Sequence, residues 1–305
     1  MKHLWIWAAV LAGLCCLGSM FCGCMYVSSE PEGERSMELA AIDVGQGLAV
    51  LLSWDGRYAL YDFGPDSAGV VDSLAARGVE SLEWVVLSHF HRDHIGGFME
   101  LLGRGVVVRH LYVGPDESCN FYCDSVFRVA SRMGIPVDTV RRGESLAFCE
   151  GGSAGLGGGS GGSGGCDGGG PRFDVLWPAS YVHVEENAAS VVLLARYGAA
   201  SALLTGDLDS AGERRLLEMN PTLSAEVLQV GHHGSAGSST LKFLSQVAPK
   251  YAFVSVGAGN GYGHPAPSVI RKLNLVLGDS TKLFRTDLQG SVRFELSPSM
   301  GVLVP

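Results

Sequence analysis

The sequence predicts an α/β protein built in layers. Short apolar strands alternate with amphipathic helices, often with two strands between helices. The 305 residues are 47% hydrophobic and only 17% charged, so the chain can bury a large core and is not a disordered polymer. Turn signals such as Asp55-Gly56 punctuate the apolar runs at strand-like intervals.

The elements follow in chain order. Residues 39–44, 48–52 and 58–62 read as strands, the last two joined at Asp55-Gly56. Residues 66–77 place Val70, Val71 and Leu74 on one helical face, and Gly78 closes the helix. The run EWVVLS at 83–88 is a short buried strand. Later strands are expected at 106–113, 173–177, 190–197, 201–205, 225–230, 251–256, 282–286 and 291–296. Further helices are expected at 121–133, 209–219, 239–247 and 267–275.

Residues 1–28 stand apart. Lys2 is the only strong charge before Glu30, and residues 4–27 carry none. A run of that length suits a membrane anchor, and the small residues Gly18, Ser19 and Gly23 leave a cleaved signal peptide open. Either reading makes the rest of the chain extracytoplasmic, secreted or tethered to the membrane. Residues 29–37 read as a linker, and 38–305 as the folded domain. Cys119, Cys123, Cys149 and Cys166 lie beyond the apolar run, and export favours disulfides, with Cys119–Cys123 and Cys149–Cys166 the expected pairs. Residues 151–170 hold thirteen glycines and three serines, which predicts a flexible loop inside the domain and no packed element. The net charge of −9, with 21 of 22 basic residues and all 31 acidic ones after residue 28, excludes a generally basic nucleic-acid-binding coat.

The chemistry is concentrated in His89-Phe90-His91-Arg92-Asp93-His94, directly after a strand. Three imidazoles and a carboxylate in six residues suit Zn²⁺ and also Mn²⁺. Two further strand ends carry ligand-type residues: Asp207 closes Leu203-Leu204-Thr205-Gly206-Asp207, and His232 and His233 follow Val230-Gly231. An aspartate at a strand end is often only a turn residue, but the ordering of the three pieces makes a metal centre the stronger reading.

These motifs resemble the metallo-β-lactamase superfamily, and HFHRDH is similar to its signature loop. Ile42-Asp43-Val44-Gly45-Gln46-Gly47, Tyr61-Asp62-Phe63-Gly64, Leu203–Asp207, Val230-Gly231-His232-His233-Gly234-Ser235 and Tyr262-Gly263-His264-Pro265 resemble the hydrolase domain of ComEC-type competence proteins. The resemblance implies a four-layer αββα sandwich and a stand-alone hydrolase without the multi-span channel. It places His89 and His91 at a first ion, Asp93, His94 and His232 at a second, and Asp207 between them. It implies two divalent ions, Zn or Mn, and puts Asp62 beneath the histidine loop. His233 would then line the substrate cleft with a catalytic role beside Asp93 and His264. The sequence departs from the superfamily where many members supply a third histidine to the first ion: Asn187, a weaker ligand, stands there, with His183 four residues earlier.

A metal pair lowers the pKa of water and clamps an oxyanion, so hydrolysis is the expected reaction. Ser235 and Ser238 before the helix expected at 239–247, together with Arg92, would favour a phosphate substrate. The serines can equally be a helix cap, Arg92 can pair with a surface acid, and His264 can shape a turn or donate a proton. The leading expectation is a phosphodiesterase or nuclease, acting on DNA or a small phosphodiester. The alternatives are hydrolysis of amides or esters, β-lactams included, and a membrane-tethered protein that holds metal without turnover.

Overall fold

Two eight-stranded sheets face each other in the computed structural model. It describes residues 35–304 except 67, 102–103, 116–120, 149–156, 159–168 and 180–185. The first sheet runs, in spatial order, Gly301–Leu303, Val292–Ser297, Met37–Ala41, Val50–Trp54, Arg57–Tyr61, Trp84–Leu87, Leu111–Val113 and Val137–Thr139. The second runs Gly157–Gly158, Glu144–Ala147, Arg172–Trp177, Val192–Tyr197, Ala200–Leu204, Val227–Gln229, Tyr251–Val254 and Leu283–Arg285.

Side-chain alternation builds three apolar layers from these two sheets. Along Val192–Tyr197, Leu193, Ala195 and Tyr197 enter the layer between the sheets, while Val192 and Leu194 face the helices outside. Leu39 and Ala41 likewise point to the inter-sheet layer, and Ala40 points out. Leu74, Phe98, Val126 and Ala130 cover the outer face of the first sheet. Leu216, Phe243, Leu244, Val269 and Leu273 cover that of the second. The result is helix, sheet, sheet, helix, the αββα order expected.

Both sheets turn parallel in one half: Arg57–Tyr61, Trp84–Leu87 and Leu111–Val113 in the first, Ala200–Leu204 through Leu283–Arg285 in the second. Parallel strands deliver their carboxyl ends to one edge, where loops are free to build a site. Glu34–Pro305 forms one compact unit. Among the described residues no helix is long and apolar enough to cross a membrane. The expectations for residues 1–28 and for His183 lie outside the described residues.

Several boundaries differ from expectation. The helix expected at 66–77 is Val70–Ala76, because Gly69 starts it from a left-handed conformation. The strand expected at 106–113 divides: Val107–Val108 pairs with Ser81–Leu82, and Leu111–Val113 joins the first sheet. Gly157–Gly158 corrects the view that the glycine tract forms no element, since these two residues pair with Ser145 and Glu144 at the sheet edge. Backbone groups alone suffice for that pairing. Cys123 is disulfide-bonded, and all other cysteines lie outside the described residues.

The helix expected at 239–247 starts at Leu241, capped by Thr240, whose hydroxyl accepts from Phe243 N. The free N–H groups before it are already taken. Glu213, 2% exposed, accepts from Ser239 N and from Thr240 N at 2.9 Å. Burial pushes the Glu213 carboxyl up to about 7, against hydrogen bonds that lower it. The folded protein therefore binds this proton more tightly than the unfolded chain does, and stability present below the ordinary value of 4.5 is lost as pH rises toward 7. The loss is on the order of 3 kcal/mol. Denaturant titrations at pH 4.5 and 7.5 are expected to show the stability difference between wild type and Glu213→Gln changing by that amount. A constant difference contradicts the assignment.

Candidate metal centre

The centre lies where strand ends of the two sheets meet. Trp84–Leu87 runs into Ser88 and His89, and His91 caps the short helix Arg92–Ile95. Ala200–Leu204 runs into Gly206 and Asp207, and Val227–Gln229 into the turn Gly231–Gly234. Two glycines permit the close approach. A Cβ on Gly206 would fall 2.8 Å from that of Ser88, and one on Gly47 would fall 2.4 Å from the Asp93 carbonyl. The Asp43–Gly47 loop is thus a packing surface for the histidine loop: Leu48 N donates to Asp93 O at 3.1 Å, and Ser255 Oγ to Gly47 O at 2.7 Å.

Two donor groups result: Asp93, His94, Asp207 and His233, and beside them His89, His91 and Asp207. Asp207 belongs to both. Its Oδ1 lies 3.1 Å from His94 Nε2 and 3.5 Å from His233 Nε2, while Oδ2 lies 3.9 Å from His89 Nε2 and 3.6 Å from His232 Nε2. One carboxylate oxygen therefore faces each group.

The protonation of the rings is set from behind. Asp62, fully buried, accepts from Ser88 N, Ser88 Oγ and His94 Nδ1, all at 2.7 Å. With Nδ1 donating to Asp62, His94 turns Nε2 inward as the nitrogen left for a ligand. His233 Nδ1 donates to Ser255 O at 2.8 Å, which does the same for its Nε2. His89 Nδ1 lies 3.0 Å from Ser88 Oγ, whose own proton goes to Asp62. The His89 Nε2 that remains is buried without a hydrogen-bond partner, as is Asp207 Oδ1. His94 Nε2 and His233 Nε2 converge to 3.3 Å. Such a cluster of acceptors fits a cation and little else, and imidazole with carboxylate fits Zn²⁺ or Mn²⁺.

Without a metal two of these rings hold a proton: burial opposes the charged form, but Asp207 and Asp62 raise His94 well above its ordinary value, and Asp207 and the Asp93 hydrogen bond raise His233. Burial drives the His89 imidazole well below its ordinary value, reinforced by His94. For Asp93, burial acts upward, but the hydrogen bond from His233 and the His94 charge outweigh it and hold the carboxylate ionised. Burial likewise opposes the charged form of Asp207, and His233 and His94 more than offset it.

Three expected site residues lie differently from expectation. His233, not His232, completes the group of Asp93 and His94. Both residues adopt left-handed backbone, φ 51° and 52°, which swings the His233 ring inward to Asp93 Oδ2 at 3.3 Å and leaves His232 on the open side, its side chain 28% exposed. His233 is thus a buried donor, not a cleft-lining group. Arg92, expected to favour a phosphate, is engaged in a two-pronged ion pair with Asp66 at 2.6 and 2.5 Å. Ser238 is completely buried, and the N–H groups of Ser239 and Thr240 that follow it donate to Glu213. Ser235 is partly exposed and accepts from Gly237 N. Asn187, in the turn Glu186–Ala189, has its amide nitrogen 3.5 Å from His232 Nδ1 and its Oδ1 buried without a partner. His264 sits at the rim, its ring 5.8 Å from that of His232. Ser88 was not foreseen as a linker of Asp62 and His89; its place between the strand and HFHRDH is the signal that would find it.

A family model described as the metallo-beta-lactamase superfamily matches residues 42–258. The chain belongs to that superfamily. Its curated relatives include competence protein ComA of Neisseria gonorrhoeae, 35% identical over 89% of this chain, and ComE operon protein 3 of Bacillus subtilis, 29% identical over 96%. The chain spans about a third of the length of each, 34% and 36%. Among solved structures, the metallo-β-lactamase fold protein YhfI of Bacillus subtilis superposes with a TM-score of 0.54 at 11% identity, covering 85% of this chain and 99% of YhfI. Tm1679, described as a metal-dependent hydrolase of the β-lactamase superfamily, gives 0.51 at 12% identity over 86% of this chain and 99% of its own. These likenesses show the metallo-β-lactamase fold.

Proposed function

We propose that this chain is a metal-dependent phosphodiesterase, with DNA as its leading substrate class. The observation that carries the reading is Asp207, whose two oxygens each face a separate donor group. A pair of divalent ions, Zn²⁺ or Mn²⁺, supplies a water of lowered pKa and positive charge against a developing oxyanion. The chain's own residues orient that chemistry. The back of the centre is closed by Asp62, His89 and His94, each at most 4% exposed, which excludes water from that side. Asp93 and His232 border the open side, where a substrate phosphate enters. The kinship with competence proteins supports DNA over other phosphodiesters, and the apolar run at 4–27 with the Cys123 disulfide supports an extracytoplasmic, membrane-tethered or secreted setting.

His264 is the group placed to protonate the leaving oxygen. Asn260 grips its backbone from both sides, Oδ1 accepting from His264 N at 3.0 Å and Nδ2 donating to His264 O at 2.6 Å. Burial, with His232 and His233 adding, holds its pKa below the ordinary value. An anionic substrate beside the ring opposes that shift. His264→Ala is expected to lower kcat about 10²-fold on DNA, whose leaving alkoxide needs a proton. The same variant is expected to cost little on a nitrophenyl phosphodiester, whose leaving group does not. Equal losses on both substrates contradict the acid role.

A panel of a nitrophenyl phosphodiester, DNA and a chromogenic β-lactam, each with Mn²⁺ or Zn²⁺ and the full-length chain, tests the reading. Phosphodiester turnover is expected. Turnover of the β-lactam alone would make the chain an amide hydrolase, and metal uptake without any turnover would make it a binding protein.

A further inference from the structure

We propose that His232 is a donor to the first ion, beside His89, His91 and Asp207, and that Asn187 is its positioning residue. This rests on the two-ion reading of the centre and not on the choice of substrate.

The first argument is the division of Asp207. Two donors of one tetrahedral ion with bonds of ~2.1 Å lie roughly 3.4 Å apart. His232 Nε2 is 3.6 Å from Asp207 Oδ2, the same oxygen that faces His89 Nε2 at 3.9 Å. The other oxygen, Oδ1, is the one met by His94 and His233. His232 therefore stands on the His89 side of the carboxylate, beside the tight group of His89, His91 and Asp207 and outside it. The adjacent histidines thus serve opposite sides of one carboxylate.

The second argument is backbone cost. Two consecutive non-glycine residues stand in the left-handed region, His232 at φ 51°, ψ 48° and His233 at φ 52°, ψ 23°. Such conformations persist where surrounding structure imposes them, and they gather at functional sites. The turn is held by His232 N donating to Gly206 O at 3.1 Å and Ser235 N to His232 O at 2.8 Å.

Asn187 touches the back of the His232 ring. Its Oδ1 is buried and unpartnered, while its Nδ2 lies 3.5 Å from His232 Nδ1. The oxygen and nitrogen of an amide have the same shape, and their placement follows from the network. With the oxygen on the His232 side, His232 Nδ1–H donates to it. The same placement leaves His232 Nε2 open toward Asp207 Oδ2. Asn187 then acts through His232 without touching the ion.

The test is metal binding, not turnover. The full-length chain, stripped of metal, is titrated with Co²⁺ and followed by calorimetry and by the visible absorption of the bound ion. Wild type is expected to take up two ions. His232→Ala is expected to weaken one event by 10- to 100-fold, the event also weakened by His89→Ala, and to spare the one weakened by His233→Ala. Asn187→Leu is expected to weaken that first event about tenfold, and Asn187→Asp, which keeps an acceptor, to preserve it. Unchanged melting of the Asn187 variants separates these losses from misfolding. Two unaltered events in His232→Ala, or a loss at the ion that His233 serves, overturns the assignment. A wild type that takes up one ion or none overturns it together with the two-ion reading.

Discussion

Asp207→Asn is expected to abolish turnover of any substrate by at least ~10³-fold, equivalent to about 4 kcal/mol of transition-state stabilisation. Asparagine keeps the shape of the side chain but supplies only one acceptor. Its amide N–H₂ would face either the His94–His233 side or the His89–His232 side, since those groups share the two oxygens at 3.1–3.9 Å. One donor group therefore loses its central oxygen, and the charge that offset the neighbouring imidazoles is gone. Melting curves give a readout independent of activity. A ligand present at a hundred times its Kd stabilises by about 2.7 kcal/mol, roughly 5–10 °C for a domain of this size. Adding Mn²⁺ or Zn²⁺ is expected to raise the wild-type Tm by that order and to raise that of Asp207→Asn far less. An equal rise in both proteins would mean that the ions bind elsewhere.

Asp62 supplies the second large effect, through two variants that separate stability from tautomer control. In Asp62→Ala, the buried Ser88 N–H and His94 Nδ1–H lose an acceptor at 2.7 Å each. Breaking a buried, hydrogen-bonded pair costs about 3–5 kcal/mol, so the Tm is expected to fall by roughly 10 °C. Asp62→Asn keeps an oxygen for Ser88 N, so the fold is expected to survive. Its amide N–H₂ would instead face His94 Nδ1, making that nitrogen an acceptor and moving the ring proton to Nε2. A protonated Nε2 cannot ligate. The ion held by Asp93, His94 and His233 is therefore expected to bind 10- to 100-fold more weakly in Asp62→Asn at nearly unchanged Tm. Calorimetry with Zn²⁺ checks this, and wild-type affinity in Asp62→Asn would show that the tautomer is not set from Asp62.

The parts of this centre that were legible in the sequence are those carried by one stretch of chain. HFHRDH displays three imidazoles and a carboxylate in six residues, and the apolar run before it fixes where they emerge. Asp207 was legible for a similar reason, as the end of the strand Ala200–Leu204. What stayed illegible depends on contacts from distant segments. Nothing near Ser238 announces that Glu213, on another helix, has taken the N–H groups of Ser239 and Thr240. Nothing in HFHRDH announces Asp66 as the partner of Arg92. His232 and His233 are chemically identical neighbours, and only the left-handed turn decides which faces Ser255 and which Asn187. The short strands Val137–Thr139 and Glu144–Ala147 escaped because three or four residues carry too little alternation to read.

The same division holds for the fold. Long apolar runs gave both sheets, because alternate residues along Val192–Tyr197 must enter different layers. The break between Val107–Val108 and Leu111–Val113 did not show, because Val106 to Val113 reads as one run until Val107–Val108 is seen paired with Ser81–Leu82. The two-stranded sheet this creates is a tertiary choice with no local signature.

The proposed phosphodiester hydrolysis would depend on divalent ions held by the residues around Asp207. It is tested most directly by incubating the metal-stripped full-length chain with single-stranded DNA, with and without Mn²⁺ or Zn²⁺, and resolving the products by length. Strand cleavage that appears on adding metal and is absent from Asp207→Asn is the predicted result. Intact DNA in the presence of two bound ions per chain would contradict it.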